Sequence, residues 1–230
     1  MKGPILYFIE FLSGGCDMST VILSVFSFLV IIFLCFPIHE CAHAWVAKLL
    51  GDDTAESQGR ITLNPLAHID PMGAVCMAVC CIGWAKPTPV DLRKCRKVSM
   101  RTANVLVSLA GPVSNIVLSL IIMVIYKIII VASGMALNET TFYVVTGLMY
   151  VVMINAFLAV FNLLPIPPFD GYHILASFLP SKWLYNLERY NQIISFVMFI
   201  LLVSRVLDRP LAFLQGAVFD LLDMMTRFIC

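Results

Sequence analysis

The sequence predicts an all-α polytopic membrane protein of about four to six transmembrane helices, with a short membrane-associated β-hairpin or re-entrant segment. Three observations carry this. Of the 230 residues, 60% are hydrophobic and only 13% are charged, against roughly 25% charged in an average soluble domain. Mean hydropathy is +0.94. Several apolar runs approach or exceed the roughly 20 residues that a helix needs to cross a bilayer. The net charge of +1 gives no basic footprint for nucleic acid and no acidic partner surface.

Taken in order, residues 1–18 carry one lysine, Lys2, before an apolar stretch broken by Glu10, with no clean small-residue cleavage site. They read as an interfacial amphipathic segment rather than a signal peptide. Residues 20–50 read as one long helix, which Ser19 or Thr20 caps and Gly51 closes. Residues 52–71 are polar, and within them "GRITLNPL" has the β-branched content of a short extended piece. Residues 73–83 are apolar but too short to span, so they read as re-entrant or tilted. Six of the fifteen basic residues follow, at Lys86, Arg93, Lys94, Arg96, Lys97 and Arg101, opposed only by Asp91. The positive-inside rule makes this loop cytoplasmic. Residues 102–133 form a second span, with Lys127 snorkelling near its far end, and 142–164 a third with no charge. "PIPPFDG" cannot continue that helix. Residues 191–204 make a fourth apolar stretch, and the C-terminal segment, with Asp220 and Asp223 on one side, suits the interface. No repeat or low-complexity linker divides the chain, so it reads as one membrane domain over residues 1–230.

The eight cysteines, Cys16, Cys35, Cys41, Cys76, Cys80, Cys81, Cys95 and Cys230, include no C-x-x-C pair and lie mostly in apolar runs. They read as small hydrophobes, not as a disulfide framework or a thiolate zinc site. Cys76 and Cys80 share a helix face as small packing residues.

The chemistry lies at His39-Glu40-Cys41-Ala42-His43, an H-E-x-x-H pattern near the end of the first apolar run. Residues i and i+4 lie one helical turn apart on one face, so His39 and His43 can hold one zinc ion, with Glu40 beside them as general base in a metal-assisted hydrolysis. Ionisable groups inside a spanning helix are expensive and mark function. A catalytic zinc takes three protein ligands and keeps a position open. The third candidates are Glu56, His68, Asp170 and His173. Topology favours Asp170: if 73–83 does not cross, the third span ends on the cytoplasmic side, at the depth of the two histidines. Pro165, Pro167 and Pro168 unwind the chain just before it.

"HECAH" at 39–43 with "NLLPIPPFDG" at 162–171 closely resembles the site-2 protease family of intramembrane zinc metalloproteases, peptidase family M50. "RITLNPLAHIDPMG" at 60–73, "GWAKPTPV" at 83–90 and "AGPVSN" at 110–115 resemble its compact bacterial members, and the chain has no room for an inserted PDZ domain. The resemblance covers about residues 20–175, the expected catalytic core. It implies one Zn2+ per chain on His39, His43 and Asp170, with Glu40 catalytic. It also implies cleavage within transmembrane segments of membrane protein substrates, in a bacterial cell membrane and toward the cytoplasmic side. The expected partners are that substrate and the lipid bilayer. Asn115 and Asn162 are candidate donors to a substrate carbonyl or oxyanion, against a rival role as interhelical polar contacts. His68 is a candidate substrate-groove residue, and His173 a candidate support for the ligands. "GRITLNPL" offers an edge for an unwound substrate. A membrane metal transporter, or a zinc-binding membrane protein without proteolysis, is the alternative; neither needs Glu40 as a base.

Overall fold

A computed structural model describes residues 2–80, 82–134 and 138–229. The regular elements among these residues are all helices, and the β pairing is a single antiparallel bridge between Ile69 and Ala85. The chain forms two compact units, Met1–Asp91 and Leu92–Cys230.

The first unit opens with α1 (Pro4–Leu12), whose proline sits in the first turn, where a missing N–H costs nothing. The long rod that follows is α2 (Met18–Val30), a π turn (Ile31–Cys35) and α3 (Phe36–Leu50). Its N-cap position is Asp17, rather than the expected Ser19 or Thr20; both of those hydroxyls instead donate to the Asp17 carboxylate. Pro37 lies just beyond the π turn. A proline removes one intrahelical donor, and helices absorb that by local widening. Gly51, at φ +110°, ends the rod; its N–H bonds Lys48 O, and the Asp52 N–H bonds Ala47 O. The buried Asp52 carboxylate then accepts from the N–H groups of Thr54 (3.0 Å) and Asp91 (2.7 Å), which fixes the polar connection between them.

Residues 60–64 form no strand. They lead into a 3₁₀ turn (Pro65–Ala67), capped by the Asn64 side chain. The expected extended segment is therefore not formed, and the lone Ile69–Ala85 bridge lies beyond it. Proline and asparagine supply the turn chemistry that outweighs the β-branched content there. After α4 (Thr54–Ser57) comes α5 (Pro71–Cys80), ten residues long, or about 15 Å, half of a hydrocarbon core. Cys81, expected within this re-entrant stretch, and Cys230 lie outside the described residues.

The second unit is built on α6 (Met100–Ala132) and α7 (Glu139–Asn162). Ser99 and Asn138 cap their starts by accepting from the N–H groups of Thr102 and Thr141. Then come α8 (Asp170–Ala176), α9 (Ser181–Arg189), α10 (Asn191–Val203) and α11 (Asp208–Thr226). Met123, Val152 and Leu222, from α6, α7 and α11, form the buried core. Ser119 donates to Val152 O (3.2 Å), and Gln215 to Met153 O (2.9 Å).

Among the described residues, three helical stretches are long and apolar enough to cross a membrane: Met18–Leu50, Met100–Ala132 and Glu139–Asn162. The chain is an integral membrane protein. On α6, Val113, Val117, Ile121, Ile125 and Ile128 are exposed at helical spacing, a stripe suited to lipid. The fourth apolar stretch is a helix of 13 residues, about 20 Å long and short of a full span. Lys127 departs from expectation. It does not snorkel: it is 5% exposed and pairs with the Asp223 carboxylate of α11 at 2.8 Å. Pairing compensates the charge of the buried ammonium. Asp220 is exposed, whereas Asp223 is taken up by that contact.

Candidate active site

His39 and His43 stand one turn apart on α3, 7% and 8% exposed. Their rings meet edge to face, with centroids 4.7 Å apart, and their Nε2 atoms are 3.0 Å apart. Two nitrogens held by a tetrahedral zinc at about 2.0–2.1 Å lie roughly 3.4 Å from each other. The pair therefore fits zinc with an adjustment of a few tenths of an ångström. Neutral imidazole is also the right donor chemistry.

Glu40, between them in sequence, is half-buried. Its Oε2 accepts from the Thr88 N–H (2.9 Å) and the Thr88 hydroxyl (2.8 Å). The loop that brings Thr88 is fixed by two buried groups. The Arg60 guanidinium donates to the carbonyls of Lys86 and Pro87. His68, 0% exposed, bonds Thr62 O through Nε2 (2.8 Å), while its carbonyl accepts from the Lys86 N–H (2.8 Å). His68 thus ties two loop segments together. Glu56 is exposed and ion-paired with Lys48.

In the second unit, Asp170 is the first residue of α8, directly after the proline-rich turn. A Cβ at Gly171 would lie 2.2 Å from Leu163 O, so only glycine lets α8 seat against the end of α7. Phe169 packs on Phe161, with ring centroids 4.4 Å apart. From α6, the Asn104 amide donates to His173 O (2.8 Å) and to the Ser177 hydroxyl (2.9 Å), holding α8 from the other side. The His173 side chain is exposed. Asn162 bonds back to Leu158 O within its own helix. Asn115 is 0% exposed, and neither its amide nitrogen nor its oxygen meets a protein partner among the described residues. A buried primary amide left so is expensive unless something else engages it.

Residues 126–205 match the profile described as Peptidase family M50. The chain is 42% identical over 188 residues to a protein of Bacillus subtilis named putative zinc metalloprotease YwhC, across 77% of this chain and 82% of that one. The chain belongs to peptidase family M50. Other relatives are proteins named putative zinc metalloprotease Rip2. The one from Mycolicibacterium smegmatis is 29% identical, across 75% of this chain and 64% of its own. The one from Mycobacterium tuberculosis is 26% identical, across 81% and 69%. No solved structure matches significantly. Membership makes the chain a zinc metalloprotease by family, and the described residues hold no inserted β domain.

Thr88 and Asn104 went unmarked in the sequence. Thr88 had a signal: it stands between Pro87 and Pro89, so its N–H is the only backbone donor in that tripeptide. Asn104 had none, since its partners are 69 and 73 residues away.

Proposed function

We propose that this M50 protein is an intramembrane endopeptidase of the site-2 protease type, hydrolysing peptide bonds within or near transmembrane segments of membrane proteins. The observation that carries the reading is the buried His39–His43 pair, with adjacent nitrogens and a carboxylate beside it, on a helix apolar enough to span a bilayer. His39, His43 and Asp170 are the proposed ligands of one zinc ion per chain. They make a histidine–histidine–carboxylate set of the kind that leaves a coordination position open. Zinc bound there supplies a Lewis acid that polarises a carbonyl and acidifies water.

The chain's own residues do the rest. Glu40 takes a proton from the attacking water and returns it to the leaving amine. Asn115 is better supplied than Asn162 to donate to a substrate carbonyl, because its amide nitrogen meets no protein partner among the described residues, whereas one of the two Asn162 amide hydrogens goes to Leu158 O. His68 is assigned to shaping the loop wall beside Glu40 rather than to chemistry. The basic run after Lys86 supports a cytoplasmic-side active site in a bacterial cell membrane. A single metalloprotease domain over residues 1–230 is part of this proposal. Release of a membrane-tethered regulator by such cleavage is the biological use proposed.

The test compares the purified full chain with Glu40→Gln in proteoliposomes, against a panel of single-span substrates. The reading predicts that both proteins carry zinc and only the wild type cleaves. Zinc moved across the vesicle wall, with no cleavage by either protein, would assign the site to transport instead.

A further inference from the structure

Glu40 is held from outside its own helix. The tripeptide Pro87-Thr88-Pro89 has a single N–H, that of Thr88, and two rings that restrict φ. That N–H and the Thr88 hydroxyl both reach one oxygen, Oε2, at 2.9 and 2.8 Å. The same hydroxyl lies 3.0 Å from the Glu40 main-chain carbonyl, a second acceptor for its single proton. The loop cannot drift away easily. Buried Arg60 holds the carbonyls of Lys86 and Pro87, and the Lys86 N–H bonds His68 O.

We propose that Thr88 is the positioning residue of the catalytic carboxylate. It clamps Oε2, restricts the glutamate to one rotamer, and leaves Oε1 as the oxygen that handles the proton. This deepens the proposed function and rests on the reading of Glu40 as the base. A glutamate side chain has three rotatable bonds, and a base that wanders meets its proton less often in a reactive geometry. Charge-assisted bonds from two donors remove that freedom. The rival role is a plain staple, in which Thr88 only fastens the loop to α3.

Four full-length proteins separate the two: the wild type, Thr88→Val, Thr88→Ser and Glu40→Gln. Each is assayed for kcat and KM on a single-span peptide substrate, zinc per chain and thermal midpoint. Valine keeps the shape and the N–H but loses the hydroxyl; serine keeps the hydroxyl. Positioning predicts that Thr88→Val lowers kcat about ten-fold, with KM, zinc content and thermal midpoint unchanged, and that Thr88→Ser recovers most of the rate. The proposal is overturned if Thr88→Val turns over at the wild-type rate, if serine does no better than valine, or if the loss follows lost zinc or a lowered midpoint. Glu40→Gln that still cleaves would overturn the base assignment and this inference together. Inactive Glu40→Gln beside fully active Thr88→Val would overturn the inference alone.

Discussion

Gly171→Ala is the substitution whose effect the structure sets most tightly. The added methyl carbon would lie 2.2 Å from Leu163 O, 2.4 Å from Leu163 C and 2.5 Å from Leu164 O. All three are backbone atoms, so no side-chain rotamer relieves the clash. An ordinary carbon–oxygen contact is about 3.3–3.5 Å, and relief requires α8 to move by about 1 Å. Asp170 is the neighbouring residue and the first of α8, so the carboxylate moves with it. Overpacking of this kind costs about 1–3 kcal/mol in stability. A misplacement of about 1 Å at a reacting centre costs roughly 100-fold in rate. The assay is zinc retention against a graded chelator, with cleavage of a single-span substrate and a thermal midpoint on the same sample. Gly171→Ala is expected to give up zinc at lower chelator and to lose most cleavage, with a modest drop in midpoint. Wild-type zinc retention and full turnover would refute the seating of α8 as the device that places Asp170.

Asn104→Ala removes two donors that hold α8; at about 1 kcal/mol per bond it should lower the midpoint and weaken zinc retention, with Asn104→Asp unable to restore either because it lacks the amide donor. Asn115→Ala should cut kcat by about 10- to 100-fold with zinc intact, and Asn162→Ala less; equal and negligible effects would remove Asn115 from the chemistry. The Asp223 carboxyl is held below its ordinary value, chiefly by the hydrogen bond from Lys127, with Arg227 also nearby. A depressed carboxylate contributes stability above its unfolded value and loses it as pH falls through the folded value. The midpoint should therefore be flat near neutrality and fall below about pH 4, and Asp223→Asn should lower it at pH 7 and flatten the acid limb; an unchanged acid limb would contradict the pairing.

What the sequence disclosed was mostly local. The His39–Glu40–His43 pattern is legible because residues four apart share a helix face, and the structure keeps them there. Gly51 as a helix end and the long apolar helices follow from cap chemistry and run length. The shortness of α5 followed from the same count. What escaped were contacts between distant residues. Glu40 and Thr88 are 48 residues apart, and Lys127 and the Asp223 carbonyl it also reaches are 96 apart. No periodicity encodes such pairs, because either partner alone reads as an ordinary polar residue. The π turn before Pro37 was also missed, since hydropathy is blind to a change of helical register. Around residue 60, β-branched side chains suggested an extended edge, but proline and the Asn64 cap turned the chain instead.

The most direct measurement is zinc per chain, taken beside cleavage, for the wild type, Glu40→Gln and Asp170→Ala in the full-length membrane protein. The account predicts one zinc and cleavage for the wild type. It predicts one zinc and no cleavage for Glu40→Gln, and loss of both for Asp170→Ala. Asp170→Ala that holds its zinc as tightly as the wild type, or Glu40→Gln that still cleaves, would contradict it.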